Sequence, residues 1–555
     1  MRHAILALLV LSLATSPVEP PPADIIYVNA VIWTGDREMP IAEALAVSAN
    51  RFSAVGTRDE IESWRGPDTK VVDVEGRLLV PGFIDNHVHF LEGGLHLGSL
   101  NLRTAHSPDE FARRVERFAR TLPRGRWITG GEWDHEMWGG ELPRRDWIDS
   151  VTVANPVFVT RLDGHMGLAN SLALELAGID RDTPDPVGGL IVRDPESGEA
   201  TGVLKDESMS LVSSIIPPPS TEDEDAALDR AMTHALQNGV TQVHDMGSFG
   251  GWTDLAVYRR ARDAGSLRIR IYSFVPLATW PRLLDFVRQE GRGDDWLRWG
   301  GLKGFVDGSL GSTTAWFHEP FTDAPETSGL VVTDTSDLRE WIVAADKQDL
   351  RLAVHAIGDR ANDWLLDVFQ DAVRENGGTD RRFRVEHSQH LSPEAIPRFG
   401  TDHIIPSMQP YHAIDDGRWA EKRIGSERIR RTYAFRSLQD AGARLTFGSD
   451  WTVAPLSPIE GIYAAVTRRT TDGLNPDGWV KGQKISIEDA LGAYTAANAF
   501  AGFQEDRLGM IKPGYLADFV VLSENLFEIP PEEIINVNVI ATIVDGRVMY
   551  EEEAR

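Results

Sequence analysis

The sequence contains eight short apolar segments, most of them separated by stretches with helix-like spacing. They are GFIDNHVH, VTQVHD, RIRIYSFV, GLKGFVDG, LRLAVHAIGD, FRVEHSQH, HIIPSMQP and RLTFGSD. Strands that alternate with helices are typical of parallel sheets, and eight such units predict an α/β fold with a (β/α)8 barrel of the TIM type. A doubly wound open sheet is the alternative, but the number of segments and the residues at their ends favour the barrel.

Segments with a β-strand pattern also lie at both ends of the chain. Short strand-like stretches separated by Gly and Asn run from Ile25 to Val80, and LADFVVL and VIATIVDGRVMYEE have the same character near the C-terminus. We therefore predict a small β-sandwich domain built from both termini, residues 17–80 and 505–555. The barrel would occupy residues 81–504 between them.

A long stretch, residues 95–219, separates the first strand segment from the second. It is rich in tryptophan, with Trp127, Trp133, Trp138 and Trp147 inside it. We interpret it as an insertion after strand 1 that covers the mouth of the barrel. We expect most of these tryptophans to fill the insertion's own core, and their number hints at an apolar or aromatic substrate group.

The N-terminus has the features of a secretory signal peptide, which we place at residues 1–16. Arg2 and His3 precede an apolar run from Ala4 to Leu13. This run is too short to cross a bilayer, which takes about 20 residues. The sequence therefore predicts a periplasmic or secreted protein without a membrane span.

Composition excludes several functions. The formal net charge of −28 argues against binding to nucleic acid or anionic lipid. The chain has no cysteine, so it has no disulfides, thiolate ligands or cysteine nucleophile. These limits favour a small-molecule substrate. They leave the oligomeric state open, and a homo-oligomer is compatible with them.

Two histidines lie at the end of the first strand segment. Side chains alternate between the faces of a strand, so Asp85, His87 and His89 would share one face. Two neutral imidazoles on one rigid face can bind a metal ion. An ordinary hydrogen-bonded histidine pair is the alternative for this motif when it is considered alone.

Ligand-type residues recur at the ends of the other segments, and barrel active sites lie at the carboxyl ends of the strands. A hydrolytic site with one or two metal ions typically combines such residues, here four histidines, one aspartate and one lysine around one barrel axis. These six residues are His87, His89, Lys303, His355, His387 and Asp450. Other polar residues at segment ends are His244, Asp245, Asp307, Asp359, Gln389 and Gln409.

Several longer motifs carry a family resemblance. They are PGFIDNHVHF, KGFVDGSLGSTTA, VHAIGDRAN, VEHSQ, SMQPYH and FGSDWTVAPLSPIEGIYAAVTRR. Together they resemble the amidohydrolase superfamily, and within it the amidohydrolase-3 branch of YtcJ-like metal-dependent hydrolases. The resemblance covers nearly everything after the signal peptide.

The resemblance implies roles for the metal ligands. One pair, His87 and His89, would bind the more buried ion together with Asp450. The second ion would be bound by His355 and His387. The metal would be divalent, with Zn²⁺ preferred by imidazole and carboxylate ligands and Mn²⁺, Fe²⁺ or Co²⁺ as alternatives.

The resemblance also implies that Lys303 is N6-carboxylated and bridges two ions. An ammonium group has only donors, whereas a carbamate supplies two anionic oxygens. An ordinary surface lysine is the alternative, and Lys205 is a rival for the bridging role. Gly304 stands where the family usually has a bulkier apolar residue, and Thr452 stands where it usually has proline.

Asp450 is the predicted catalytic residue. It would accept a proton from a metal-activated water and pass that proton to the leaving nitrogen. His165 and Asp307 match motif positions and would either orient substrate or form hydrogen bonds behind the ligands. The predicted activity is hydrolysis of a non-peptide C–N bond of amide or formamide type. The alternatives are hydrolysis of an ester, lactone or carbamate, or an exported metal- or ligand-binding protein with an inactive site.

Overall fold

The computed structural model describes residues 21–161, 165–186, 189–247, 251–378 and 380–553. The predicted signal peptide, residues 1–16, lies outside these ranges. Within them, no helix combines the length and the apolar character that a bilayer span needs.

Eight parallel strands form the central sheet, and they confirm the predicted barrel. We number them β1 (Phe83–Val88), β2 (Val240–Asp245), β3 (Arg270–Pro276), β4 (Leu297–Phe305), β5 (Arg351–Ala356), β6 (Arg384–His387), β7 (Ile405–Met408) and β8 (Thr446–Phe447). Strands that are consecutive in the chain are neighbours in the sheet, which excludes the doubly wound alternative. Beyond the strand ends, the Asp450 amide donates to the His87 carbonyl at 2.7 Å and the His89 amide to the Trp451 carbonyl at 2.8 Å. The edge strands β1 and β8 therefore meet at the carboxyl end of the barrel.

Helices connect the barrel strands. Their bounds are Phe90–Leu97, Thr221–Gln237, Trp252–Asp263, Trp280–Glu290, Thr335–Lys347, Asp359–Asn376, Ala395–Thr401, Pro410–Asp416, Ala420–Arg428, Phe435–Asp440, Pro458–Thr467, Ile487–Tyr494 and Ala496–Ala501. The helix before β2 shows why these segments begin and end where they do. Ser220 and Asp223 form a reciprocal capping box at its start, and Gly239 follows its end with a φ of +77°.

Strands from both termini form a sandwich of two sheets. One sheet has the order Arg51–Gly56, Ala44–Ser48, Ile25–Val28 and Lys70–Asp73. The other has the order Arg547–Glu551, Val539–Val544, Phe519–Leu522, Leu78–Pro81, Val31–Trp33 and Ile41–Ala42. Tyr27 and Phe519 pack edge to face in their shared core, with ring centroids 5.0 Å apart. This confirms the predicted second domain, and its boundaries at 17–80 and 505–555 stay a prediction.

The insertion after strand 1 has its own six-stranded sheet. In sheet order its strands are Gly189–Arg193, Ala200–Asp206, Met166–Ala169, Phe158–Arg161, Gly130–Trp133 and Leu100–Asn101. Its helices are Pro108–Ala119, Ser171–Leu176 and Ser210–Ser213. Trp133 is fully buried and donates to the Val159 carbonyl at 2.9 Å, and Trp138 and Trp147 pack against Phe111. These tryptophans therefore fill the insertion's own core, as expected.

Candidate metal centre

Four predicted ligand histidines meet at the carboxyl end of the barrel. His87 lies in β1 and His89 follows that strand, while His355 lies in β5 and His387 ends β6. Ring centroids are 4.5 Å apart for His355 and His387, 4.9 Å for His87 and His387, and 5.9 Å for His87 and His89. The strand positions read from the sequence therefore bring all four imidazoles to one place.

Asp450 follows β8 and joins this group. Its Oδ1 atom lies 3.5 Å from Nε2 of His87 and 3.4 Å from Nε2 of His89. Ligand atoms of His87, His387 and Asp450 all lie within 4.8 Å of one another, and the three residues are buried. Asp450 has a φ of +59° and His387 a φ of +72°, a backbone conformation that costs about 1–3 kcal/mol in non-glycine residues and clusters at functional sites.

Lys303 is the lysine at this centre. It is only 4% exposed, and its Nζ atom lies 3.1 Å from Nε2 of His87. Burial lowers the pKa of the Lys303 amine to about 8, and the carboxylates of Glu386 and Asp450 partly offset that effect. The rival, Lys205, lies on the insertion strand Ala200–Asp206, away from these imidazoles.

Three of the imidazoles are oriented by hydrogen bonds from Nδ1. His87 donates to Glu386 at 2.5 Å, His89 to the Gly247 carbonyl at 2.7 Å, and His387 to Oε1 of Gln409 at 2.8 Å. Such contacts fix the tautomer and leave Nε2 as the ligand atom. The rings are therefore arranged in advance for binding a cation.

Glu386 is a functional residue that the sequence interpretation missed. It is fully buried in β6 and is held by Nε of Arg384 at 2.8 Å and by the Ser407 hydroxyl at 2.7 Å. Burial alone would raise the pKa of this carboxyl, but Arg384 and His87 hold it well below its usual range. The signal was present in the segment FRVEHSQH, because an arginine and a carboxylate two residues apart share one face of a buried strand, where an ion pair is expected.

Protonation states in the centre suit a divalent cation. Burial, reinforced by Lys303, lowers the pKa of His87 to about 4 and that of His355 to about 3, so both are neutral near pH 7. Burial alone would raise the pKa of Asp450, but the neighbouring imidazoles of His87 and His89 hold it well below its usual range. Neutral imidazoles beside an ionised carboxylate form a donor set that fits Zn²⁺ and related ions.

Asp307 forms hydrogen bonds behind the ligand histidines and does not line the cavity, so its predicted contact with substrate stays a prediction. Its carboxylate is 1% exposed and accepts from the amides of Trp316 at 2.7 Å, Gly358 at 2.8 Å and Ile357 at 3.0 Å. It also lies 3.5 Å from Nε2 of His355. Asp307 therefore anchors the loops after β4 and β5 around one of the ligand histidines.

His165 lies apart from the metal centre. Its side chain is 74% exposed on the insertion, and its Nδ1 atom is 2.9 Å from Asp206. It does not line the cavity above the metal centre, so its predicted contact with substrate stays a prediction.

The metal centre forms the floor of a cavity of about 490 Å³. Besides the six predicted ligands, its wall contains Phe305, Ser309, Leu310, Gly311, Ile357, Gln389, Tyr411, His412, Asp415, Asp416, Trp419 and Val453. None of the described insertion residues belongs to this wall, so the aromatic groups at the site come from the barrel. The wall combines apolar side chains with a few polar groups, as small-molecule sites do.

Residues 70–550 match the sequence profile of the amidohydrolase family. The chain belongs to the amidohydrolase family. This confirms the family resemblance that the strand-end motifs carry, and it supports a hydrolase.

Curated relatives cover nearly the whole chain. Protein LONG AFTER FAR-RED 3 of Arabidopsis thaliana is 42% identical over 95% of this chain and 92% of its own length. The putative amidohydrolase YtcJ of Bacillus subtilis and the N-substituted formamide deformylase of Arthrobacter pascens are each 30% identical over 95% of this chain and 98% of their own lengths. The similarity therefore extends through both domains.

A solved structure supports the fold. The crystal structure of an uncharacterized metal-dependent hydrolase from Pyrococcus horikoshii is similar with a TM-score of 0.75 and 29% sequence identity. The match covers 92% of this chain and 99% of that one. The barrel and the additional domain are thus shared with a protein described as a metal-dependent hydrolase.

Proposed function

We propose that this amidohydrolase cleaves the C–N bond of a small, non-peptide amide, with N-substituted formamides as the leading substrates. The main support for this activity is the buried group of His87, His387 and Asp450. Their ligand atoms lie within 4.8 Å of one another on the floor of a cavity. The relative from Arthrobacter pascens, named N-substituted formamide deformylase, supports the choice of bond.

The residues of the centre divide the chemistry between them. His87, His89, His355, His387 and Asp450 would hold one or two divalent ions, Zn²⁺ first. A bound ion would polarise the scissile carbonyl and make a nearby water more acidic. Asp450 accepts the proton of the attacking water and passes it to the leaving nitrogen. The apolar part of the wall binds the substituent on that nitrogen and excludes bulk water.

We also propose that Lys303 is N6-carboxylated. The amine is buried 3.1 Å from Nε2 of His87, where a cationic ammonium group would oppose a bound metal ion. Reaction of the neutral amine with carbon dioxide forms an N–C bond and releases one proton. The resulting carbamate supplies two anionic oxygens to the centre.

Turnover by metal-free and reconstituted protein tests the proposal. We expect hydrolysis of N-substituted formamides after addition of Zn²⁺ or Mn²⁺ to chelator-treated protein, and release of formate and amine in equal amounts. Asp450→Asn should lower kcat by about 10³-fold, because a general acid–base contributes about 10²–10⁴-fold. The control is Asp440→Asn, at an exposed position where Asp440 forms an ion pair with Arg436.

Two results would contradict the proposal. If the protein cleaved esters or lactones but no amide, its substrate would be another acyl compound and not an amide. Ligand binding without turnover, equal in wild type and Asp450→Asn, would make the protein a binding protein.

We further propose that the protein is exported, on the basis of the pattern in residues 1–16 alone. Expression of the full chain in a bacterial host should give a periplasmic product that lacks these residues by intact mass. A cytoplasmic product of full mass would contradict export.

A further inference from the structure

His412 lines the cavity and carries a buried ring nitrogen without a hydrogen-bond partner. It lies on the helix Pro410–Asp416, which begins directly after Gln409. Its Nε2 atom makes no hydrogen bond with any described residue and lies 4.0 Å from Oδ2 of Asp450. A buried polar atom without a partner destabilises the folded protein, so such an atom beside a reactive carboxylate points to a ligand.

The two oxygens of Asp450 have different neighbours. Oδ1 faces the ligand histidines, at 3.5 Å from His87 and 3.4 Å from His89, whereas Oδ2 faces His412. Oδ1 is therefore on the metal side and Oδ2 on the substrate side. Because Oδ2 and Nε2 are 4.0 Å apart, one substrate atom between them can lie about 2.9 Å from each.

We propose that His412 accepts a hydrogen bond from the N–H of the scissile amide, while Oδ2 of Asp450 faces the same nitrogen. This inference rests on the proposed function and narrows its substrate class to amides that keep a hydrogen on the scissile nitrogen. N-monosubstituted formamides belong to this class, whereas N,N-disubstituted amides and esters do not.

The contact has a defined role when the C–N bond breaks. Water has by then formed a bond to the carbonyl carbon, and its proton is on Asp450. Neutral imidazole has one acceptor nitrogen, and holding the substrate N–H there turns the nitrogen lone pair towards Oδ2. Asp450 then delivers the proton to that lone pair, the electrons of the C–N bond stay on nitrogen, and the amine leaves.

Selectivity follows from the cost of leaving His412 without a partner. An ester places an oxygen without hydrogen at this point, and an N,N-disubstituted amide places a carbon substituent where the N–H would be. In both cases Nε2 stays buried and unpaired. A site built to hydrogen-bond a substrate group rejects analogues that lack it more strongly than an apolar pocket rejects a missing methylene.

Three matched substrates test the inference: N-benzylformamide, N-benzyl-N-methylformamide and benzyl formate. The measured quantity is kcat/KM for N-benzylformamide divided by kcat/KM for N-benzyl-N-methylformamide. We expect His412→Phe to lower this ratio by about 30-fold. His412→Gln should recover part of the ratio, because its amide oxygen can accept the same hydrogen bond. His106→Phe, at an exposed position of the insertion, is the control and should keep the wild-type ratio.

Metal content, measured for the same variants, separates substrate binding from metal binding. We expect His412→Phe to retain the wild-type number of ions per chain, and loss of an ion would overturn the inference by making His412 a ligand. Formamide turnover with the same substrate ratio in wild type and His412→Phe would also overturn it and leave the proposed function standing. No turnover of any formamide by wild type would overturn the proposed function and this inference with it.

Discussion

At the residue scale, burial keeps the imidazoles of His87 and His355 at the centre neutral near pH 7. Burial has the same effect on His390, which lies three residues after His387. Its Nδ1 atom is hydrogen-bonded to the Thr432 hydroxyl at 2.8 Å. Burial, and secondarily the charge of Arg428, lowers the pKa of His390 to about 3. An unfolded histidine has a pKa of about 6.5, so the two states bind different numbers of protons below that pH.

The sign of this difference gives a pH prediction. Below pH 6.5, His390 binds a proton in the unfolded chain but not in the folded protein. The contribution of His390 to the free energy of unfolding therefore falls as the pH drops from about 6.5 towards 3. At pH 5 the loss is about 2 kcal/mol. We expect His390→Gln to reduce the fall in unfolding free energy between pH 7.5 and pH 5, measured with urea. Equal falls in wild type and variant would contradict this, and exposed His106→Gln is the control.

At the element scale, β6 shows how one strand builds both the support and the ligand of a site. Arg384 and Glu386 are two residues apart on one face, and His387 ends the strand at the metal centre. Glu386 holds His87 of β1, on the far side of the centre, by the 2.5 Å contact with Nδ1. A short strand thus connects an ion pair inside the barrel to two ligand histidines.

Replacement of Glu386 should weaken both metal binding and the fold. In Glu386→Gln, His87 loses its anionic partner, and loss of such a partner lowers metal affinity by about 10–100-fold. Arg384 also loses its buried counter-charge, at a cost of about 3–5 kcal/mol. Competition with a chelator measures the first effect and urea unfolding the second. Exposed Glu394→Gln is the control, and unchanged metal affinity would show that Glu386 does not orient His87.

Elements were easier to predict from the sequence than the contacts between them. Six of the eight barrel strands lie within the segments named from their apolar pattern, and β3 and β4 overlap theirs. The strand ends bring His87, His387 and Asp450 together, as expected, and their role as metal ligands stays a prediction. Glu386 and His412 were missed because their importance depends on partners 299 and 38 residues away in the chain, Glu386 with His87 and His412 with Asp450. A period of two or 3.6 residues reports which face a side chain occupies, but not what lies opposite it.

At the scale of the whole molecule, a buried ion-pair cluster joins the barrel to the C-terminal strands. Arg270 of β3 is 1% exposed and contacts Asp518 at 2.7 Å and Asp545 at 3.0 Å. Asp518 also accepts the Asp545 amide at 2.8 Å. The cluster therefore holds the two domains in register through side chains that are largely buried.

Removal of one charge from this cluster should destabilise the protein strongly. Asp518→Asn leaves buried Arg270 short of a counter-charge, and we expect a loss of about 3–5 kcal/mol in unfolding free energy. The exposed pair of Arg262 and Asp263 provides a matched control, because Asp263→Asn should cost no more than about 1 kcal/mol. Similar losses for the two variants would contradict a joining role for Arg270.

The most direct test of the account is the number of metal ions per chain in wild type and Lys303→Ala, measured by elemental analysis of purified protein. We expect about two ions per chain in wild type and one or none in the variant, because a carboxylated Lys303 would bind both ions. One ion in both proteins would make Lys303 structural and the site mononuclear. No metal in wild type, even after reconstitution with Zn²⁺ or Mn²⁺, would contradict metal-dependent hydrolysis by this centre.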